Sequence, residues 1–273
     1  MTSPHAADVY LHGHHESVLR AHRSRTAENS AAYLLGALRP GQRLLDVGCG
    51  PATLTCDLAD RVAPGEVVGL DASAEVIAMA RAEAAGRGVH NVSFQVGDAY
   101  ALPFADDSFD VVHAHQVLQH LTDPVAALRE MRRVTVPGGI VAVRDGDYAG
   151  MTWFPASEGL DEWRELYHEV AQALGAEADA GRHLLAWVRE AGFDPEGIVP
   201  SAGVSCYATP AERAWWSGVW AQRCVSSNFA TQASAHGLAD EVALELLAEA
   251  WRVWGEQDDG WFAVLHGEVL ARA

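Results

Sequence analysis

The sequence predicts an α/β fold organised around a mostly parallel sheet. Between Arg43 and Asp147, short runs rich in β-branched residues alternate with helical stretches, which is typical of strands joined by crossover helices. The chain has 273 residues, 49% of them hydrophobic, so it can bury the core that such a sheet needs. The predicted strands are 43–47, 67–71, 92–96, 109–114 and 139–145, and the predicted helices between them are 53–62, 74–85 and 124–134.

Helical segments are expected on both sides of this core. Apolar residues between Tyr10 and Leu38 fall at helical spacings, and Pro40-Gly41 ends the segment, so we expect one or two amphipathic helices there. After residue 147 the pattern predicts helices at 153–174 and 180–191, strands at 199–207 and 261–270, and a tryptophan-rich helical stretch at 210–254. We expect both late strands at the edge of the first sheet. The resulting divisions are a lid (1–40), a core (41–147) and a cap with the final strands (148–273), all within one domain.

Charge and cysteine usage exclude several classes of function. The formal net charge of −18 leaves no positive field to hold DNA or RNA. The four cysteines form no CxxC pair, and HGHHES at 12–17 lacks an acidic or cysteine partner at ligand spacing, so we predict no metal. No segment is typical of a leader peptide or a membrane span, which favours a cytoplasmic protein that does not use a membrane.

The strongest local signal is LLDVGCGPATLT at 44–55, an apolar strand that ends in Asp46 and runs through Gly48 and Gly50 into a helix. Glycines let a ligand approach the backbone, and the helix start offers free N–H groups. Asp71 follows Gly50 by 21 residues, at the end of the next strand, where a carboxylate can bind ribose hydroxyls. Nicotinamide dinucleotides and S-adenosylmethionine both suit this order of elements. A GxGxxG loop would need glycine at Thr53, which disfavours the dinucleotide.

The third strand supplies a further acid. Asp98 in GDA is placed to accept from an adenine amine, with Ala99 offering a backbone N–H. A single aspartate after a strand is usually a turn former or a helix cap. Asp46, Asp71 and Asp98 instead follow successive strands at the edge where ligands of open α/β sheets bind, which favours a shared ligand.

These motifs, in this order over residues 40–147, resemble the class I S-adenosylmethionine-dependent methyltransferases, especially the small-molecule branch that includes ubiquinone and menaquinone biosynthesis enzymes. The resemblance implies a Rossmann-like, mostly parallel seven-stranded sheet and S-adenosylmethionine as cofactor. VTVPGGIVAV at 134–143 matches the family's turn before the fifth strand, and Ala52 departs from a third glycine that many members have. The implied cofactor-binding residues are Asp46, Gly48 and Gly50 at the methionine end, Asp71 and Ala72 at the ribose, Asp98 and Ala99 at the adenine, and His115 beside the methionine portion.

Candidate residues for the acceptor side follow the fourth strand. In HAHQVLQHL at 113–121, Gln116 and His120 are polar within an apolar run, and His120 could orient or deprotonate an acceptor. A histidine that merely satisfies a backbone group in the core is an equal alternative. Among the nine tryptophans, Trp153 and Trp216 are candidates for an apolar substrate pocket, together with His14.

A second resemblance concerns the acceptor. The N-terminal YLHGHHESVLRAHRSRTAENSAAYL, with HQVLQH and LREMRRV, is similar to thiol S-methyltransferases that act on disulfide-containing natural products. That likeness implies that Tyr10, Arg25 and Asn29 lie on a helix closing over the cofactor, with Arg25 a candidate partner for its methionine carboxylate. A thiol is already partly ionised at neutral pH, which suits the lack of an evident base.

The sequence therefore predicts a methyltransferase with a small-molecule acceptor, a thiol first, acting as a monomer or homodimer without nucleic acid. Three alternatives stay open: an O- or C-methyltransferase of a phenol or quinol, a nicotinamide-dependent oxidoreductase, and a non-catalytic regulator that binds the cofactor.

Overall fold

The computed structural model describes Leu11 and residues 22–273. One sheet of seven strands has the order β3-β2-β1-β4-β5-β7-β6. The first five strands are parallel to one another, whereas β7 runs antiparallel to both β5 and β6. This arrangement confirms the predicted seven-stranded, mostly parallel sheet, with both late strands at one edge. The strands are β1 (Leu44–Val47), β2 (Val67–Asp71), β3 (Val92–Val96), β4 (Phe109–His115), β5 (Thr135–Phe154), β6 (Ile198–Tyr207) and β7 (Trp261–Arg272).

Helices precede, connect and cap these strands. The described α-helices are α1 (Ala27–Ser30), α2 (Ala32–Leu35), α3 (Thr53–Val62), α4 (Ala74–Arg87), α5 (Pro124–Val134), α6 (Glu158–Ala173), α7 (Ala180–Glu190), α8 (Pro210–Ser226), α9 (Asn228–Ala235) and α10 (Glu241–Gly255). Short 3₁₀ turns span Leu118–His120 and Pro195–Gly197. Among the described residues, no helix combines the length and the apolar content that crossing a membrane requires.

Local chemistry explains where the crossover helices begin. At the start of α5, the Asp123 carboxylate accepts from the N–H of Ala126 at 2.9 Å, and Pro124 occupies the first turn. Proline is tolerated there because its missing N–H would have no helical partner. The buried face of α5, which includes Leu128 and Met131, packs under the sheet in one core cluster with Val112.

The cap has a separate core made largely of aromatic rings. Trp163 of α6 meets Trp220 of α8 and Trp251 of α10 edge to face, with ring centroids 4.5 and 4.8 Å apart. Tyr148 of β5 stacks on Tyr167 of α6 at 3.7 Å. Most tryptophans of the chain thus stabilise the contact between the cap helices and the end of the sheet.

The helix predicted to begin at Trp153 begins at Glu158 instead. Strand β5 continues through Trp153 to Phe154 because both residues pair with β7, with Trp153 opposite Phe262 and Phe154 opposite Trp261. Ser157 then caps α6 by accepting from the N–H of Leu160. The sequence prediction was wrong here because the pairing partner lies more than a hundred residues further along the chain.

Ala52, the departure from a third glycine, precedes α3 in the left-handed region with φ of 67° and is fully buried. Small size is therefore only part of what this position requires, because an alanine Cβ is disfavoured at positive φ.

We expect Ala52→Gly to raise the free energy of unfolding by about 1 kcal/mol, because glycine adopts positive φ without a steric penalty. Chemical denaturation followed by circular dichroism measures this change. Ala82→Gly, at an exposed position within α4, is the matched control and should lower stability by about 0.5–1 kcal/mol. Equal destabilisation by both substitutions would show that Ala52 is not strained.

Candidate active site

A cleft opens where the parallel strands end, beside the segment that precedes α1. Its described lining residues are His22, Arg25, Asp46, Gly48, Cys49, Pro51, Thr53, Leu54 and His115. Ligands of open α/β sheets bind at this edge. Four residues predicted to bind the cofactor, namely Arg25, Asp46, Gly48 and His115, thus lie together.

The glycine turn after β1 forms the floor of the cleft. The N–H groups of Gly48 and Cys49 both donate to the Leu70 carbonyl, at 2.7 and 3.0 Å. Gly48 has φ of 70°, and a Cβ there would come within 2.4 Å of Val117 Cγ2. Any larger residue would displace Val117 from beneath the turn, so Gly48 is required by both conformation and space.

Asp46 is buried just before this turn and connects β1 to β4 and α3 by hydrogen bonds. Its Oδ1 lies 2.7 Å from His113 Nδ1 on β4, and its Oδ2 accepts from Thr55 Oγ1 of α3 at 2.6 Å. A buried carboxylate needs such donors to offset the loss of water. The protein itself therefore supplies one donor to each oxygen, and Asp46 also lines the cleft.

Asp71 lies at the end of β2 beside the turn. Its Oδ2 accepts from the N–H of Gly50 at 3.2 Å, and its Oδ1 accepts from the N–H of Ser73 at 3.0 Å. Two backbone donors fix the carboxylate orientation without neutralising its charge. Asp71 therefore presents an oriented anion next to the glycine turn, as a ribose partner requires.

The predicted adenine residues follow β3. Asp98 is exposed, and its Oδ1 accepts from the N–H of Tyr100 at 2.9 Å in a local turn. Ala99 is half-buried beside the core under the sheet, and Ala72 is exposed after β2. Asp71 and Asp98 occupy neighbouring strand ends because β2 pairs with β3, and the N–H of Gly97 donates to the Asp71 carbonyl at 3.0 Å.

Arg25 projects over the cleft from the segment before α1 and donates through Nη2 to Gln116 Oε1. Gln116 directly follows β4 and has φ of 55°. His115 beside it is buried, and burial followed by the charge of Arg25 lowers the pKa of His115 well below its usual value. His115 is therefore a neutral imidazole at physiological pH.

Gln119 determines which ring nitrogen of His120 carries the proton. Gln119 Oε1 accepts from the N–H of Gly146 at 3.3 Å, so its amide nitrogen is the group that lies 2.9 Å from His120 Nε2. That nitrogen must donate, so His120 Nε2 accepts and the ring proton sits on Nδ1. Burial, followed by the charges of Arg25 and Arg223, lowers the pKa of His120 to about 3.

Other predicted site residues lie elsewhere. Asn29 uses Oδ1 to accept from the N–H of Thr26 and Nδ2 to donate to the Ser24 carbonyl, so its amide caps α1. Trp153 stacks on Phe262 and Trp216 stacks on Tyr207, both in the cap core, and neither lines the cleft. Tyr10 and His14 lie outside the described residues. The pocket roles of Trp153 and Trp216 and the cofactor role of Asn29 stay predictions.

Sequence reasoning missed several neighbours of the site. His22, which lies in a run of basic residues, lines the cleft. Asp145 of β5 is fully buried, and burial raises its pKa to about 7. His266 of β7 lies with its Nε2 3.2 Å from Gln116 Nε2. The cationic run could have drawn attention to His22, but only strand register brings Asp145 and His266 to this place.

The residues present fit S-adenosylmethionine. The turn at Gly48 leaves no room for a Cβ, the carboxylate of Asp71 is oriented one strand away, and the guanidinium of Arg25 faces the same cleft. A cation, a glycine turn and an anion suit a carboxylate, an amino-acid chain and a ribose, in that order.

Comparison with known proteins agrees with this geometry. The methyltransferase domain family matches residues 38–192. An uncharacterised methyltransferase of Schizosaccharomyces pombe is 34% identical over 99% of this chain and 98% of its own. The 27-O-demethylrifamycin SV methyltransferase of Amycolatopsis mediterranei is 35% identical over 63% of this chain and 60% of its own.

A solved structure shows the same fold. The YcgJ protein of Bacillus subtilis, 21% identical, aligns with a TM-score of 0.58 over 90% of this chain and 98% of its own. The chain therefore belongs to the methyltransferase domain family, and the protein is an enzyme that uses S-adenosylmethionine as its methyl donor.

Proposed function

We propose that this methyltransferase acts on a thiol of a small natural product. The observation that carries the proposal is the protonation of His120, whose Nε2 accepts from Gln119 and whose pKa is about 3. Such a ring can donate from Nδ1 but is a poor base at neutral pH. An acceptor that ionises by itself suits this site, and a thiol with a pKa near ~8.5 does so.

The cofactor assignment follows the order of residues along the sheet edge. Arg25 would hold the methionine carboxylate, with the Gly48–Gly50 turn beneath the amino-acid chain and His115 beside it. Asp71 would accept from the ribose hydroxyls, and Asp98 with Ala99 would hold the adenine. Asp46 supports the turn through His113 and Thr55 rather than by direct binding.

The cofactor would supply a methyl group bound to a sulfonium. The acceptor atom would bond to the methyl carbon in line as the carbon–sulfur bond breaks, and the sulfur would leave as the neutral thioether of S-adenosylhomocysteine. Alignment and exclusion of water account for much of the rate of such a displacement. In this proposal His120 would align the acceptor by donating from Nδ1, and the neutral ring of His115 adds no positive charge beside the sulfonium. The aromatic core of the cap packs on the last part of β5 and the first part of β7.

O- or C-methylation of a phenol or quinol is the alternative. Such an acceptor needs a base, and Asp145 is a described carboxyl whose pKa lies near 7. Asp145 is fully buried, however, and its Oδ1 accepts from the N–H of Gln119 beneath the 3₁₀ turn. Its place below the turn favours a structural role, which weakens this alternative.

We further propose that the protein is cytoplasmic, that it acts as a monomer or homodimer, and that nucleic acid is not among its partners. The net charge of −18 supports the last of these.

We expect Asp71→Asn to weaken binding of S-adenosylhomocysteine by roughly 10- to 100-fold, because a hydrogen-bonded charged acceptor for the ribose is lost. Isothermal titration calorimetry measures the dissociation constant. Asp107→Asn is the matched control, since it removes the same charge from an exposed turn. Unchanged affinity in Asp71→Asn would remove the ribose assignment.

We expect kcat/KM for a thiol to rise with pH up to the pKa of that thiol, without an inflection from His120 between pH 5.5 and 8. The sign follows from the lowered pKa, because His120 is already neutral above about pH 4. Stopped assays with S-adenosylmethionine across this range measure the profile. A rise near pH 6.5 that disappears in His120→Asn would make His120 a base and contradict the proposal.

We expect His120→Phe to lower kcat by roughly 5- to 10-fold, since one hydrogen bond to the acceptor is lost, and to leave cofactor affinity unchanged. His120→Asn, whose amide nitrogen can replace Nδ1 as a donor, should recover most of that loss. Equal losses in both variants would show that donation from this position does not matter.

Mass spectrometry after incubation with S-adenosylmethionine and a panel of thiols, phenols, amines and quinols tests the acceptor class. Methylation of thiols is the expected result. Methylation of the phenols or quinols alone would replace the thiol proposal with the alternative.

A further inference from the structure

Gln116 holds an unusual backbone conformation at the end of β4. Its φ of 55° lies in the left-handed region, and its N–H donates to the Arg144 carbonyl of β5 at 2.7 Å. A non-glycine residue in this region costs on the order of 1 kcal/mol, and such residues cluster at functional sites. The conformation turns the amide away from the strand, toward Arg25 on one side and β7 on the other.

The chemistry of its two neighbours fixes the orientation of the Gln116 amide. Arg25 has only donors, so the oxygen of the amide must face the guanidinium. The amide nitrogen then donates to His266 Nε2 at 3.2 Å, and the proton of His266 sits on Nδ1. The contacts form one directed chain from Arg25 through Gln116 to His266.

His266 is suited to remain an acceptor. It is buried on β7, opposite Gly146 of β5 and Gly203 of β6. Burial, and then the positive charges of Arg144 and Arg25, lower its pKa well below the usual value. The ring therefore stays neutral through the physiological range and keeps the amide of Gln116 in one orientation.

We propose that Gln116 and His266 are positioning residues that hold the Arg25 guanidinium over the cleft, ready to bind the methionine carboxylate of the cofactor. This inference rests on the proposed binding role of Arg25. An arginine side chain loses about 2 kcal/mol of conformational freedom when it is fixed. A side chain that is fixed before binding loses less on binding, so the ligand binds more tightly.

The test compares two ligands by calorimetry: S-adenosylhomocysteine and its decarboxylated analogue, which lacks only the carboxylate. We expect His266→Phe to weaken S-adenosylhomocysteine roughly tenfold and to leave the analogue unchanged. His266→Gln, whose amide oxygen can replace Nε2 as the acceptor, should restore the affinity. Gln116→Gly, which keeps the positive φ and removes the amide, should behave like His266→Phe.

A double-mutant cycle separates positioning from general damage. In an Arg25→Met background, S-adenosylhomocysteine should already bind weakly, and His266→Phe should cause no further loss. Thermal melting of each variant checks that it folds, and if His266→Phe does not, His266→Gln and Gln116→Gly still give the comparison.

Three results would overturn the inference. If His266→Phe weakened both ligands equally, Gln116 and His266 would have a merely structural role. If Gln116→Gly left the S-adenosylhomocysteine affinity unchanged, the two residues would have no role in cofactor binding. Failure of the unmodified protein to bind either ligand would instead reject the cofactor site itself.

Discussion

The carboxylate of Asp46 is the contact on which the architecture of the site depends. It lies on β1 and is bonded to His113 on β4 and Thr55 on α3, so a single buried group joins two strands and the helix that follows the glycine turn. Each bond is strong because a charged acceptor inside the protein is little screened. The turn at Gly48 is thereby held in contact with Leu70 and Val117, and its position determines the shape of the cleft.

Two side-chain amides near the cleft determine which ring nitrogen of a neighbouring histidine carries the proton. Gln116 and Gln119 have no useful acidity, yet each contacts a neighbour that can only donate, the Arg25 guanidinium or the Gly146 N–H. Each amide must then donate to a histidine Nε2, on His266 and His120 respectively. The positions of two protons near the cleft are thus decided by groups that never exchange a proton themselves.

Local patterns predicted the parallel half of the sheet and the residues of the glycine turn, because each strand and crossover helix there is defined by its own few residues. The sequence also placed Asp71 and Asp98 at the ends of successive strands, and the structure shows that these two strands are neighbours. Contacts that depend on register between distant strands were not predictable, as His266 and the extension of β5 show. The tryptophans were ambiguous, since burial in a core and burial against a substrate demand the same side chain.

Strands β5 and β7 are paired from Ile140 opposite Arg272 at one end to Phe154 opposite Trp261 at the other, with one irregularity between Asp147 and Thr152. The first part of β5 pairs with β4, which carries His115 of the cleft, and its last part contributes Trp153 to the aromatic packing of the cap. One strand therefore runs from the parallel part of the sheet to the cap core, and backbone hydrogen bonds to β7 hold it along most of that length. The position of the cap rings relative to the ends of the parallel strands is thus set by backbone pairing as well as by side-chain packing.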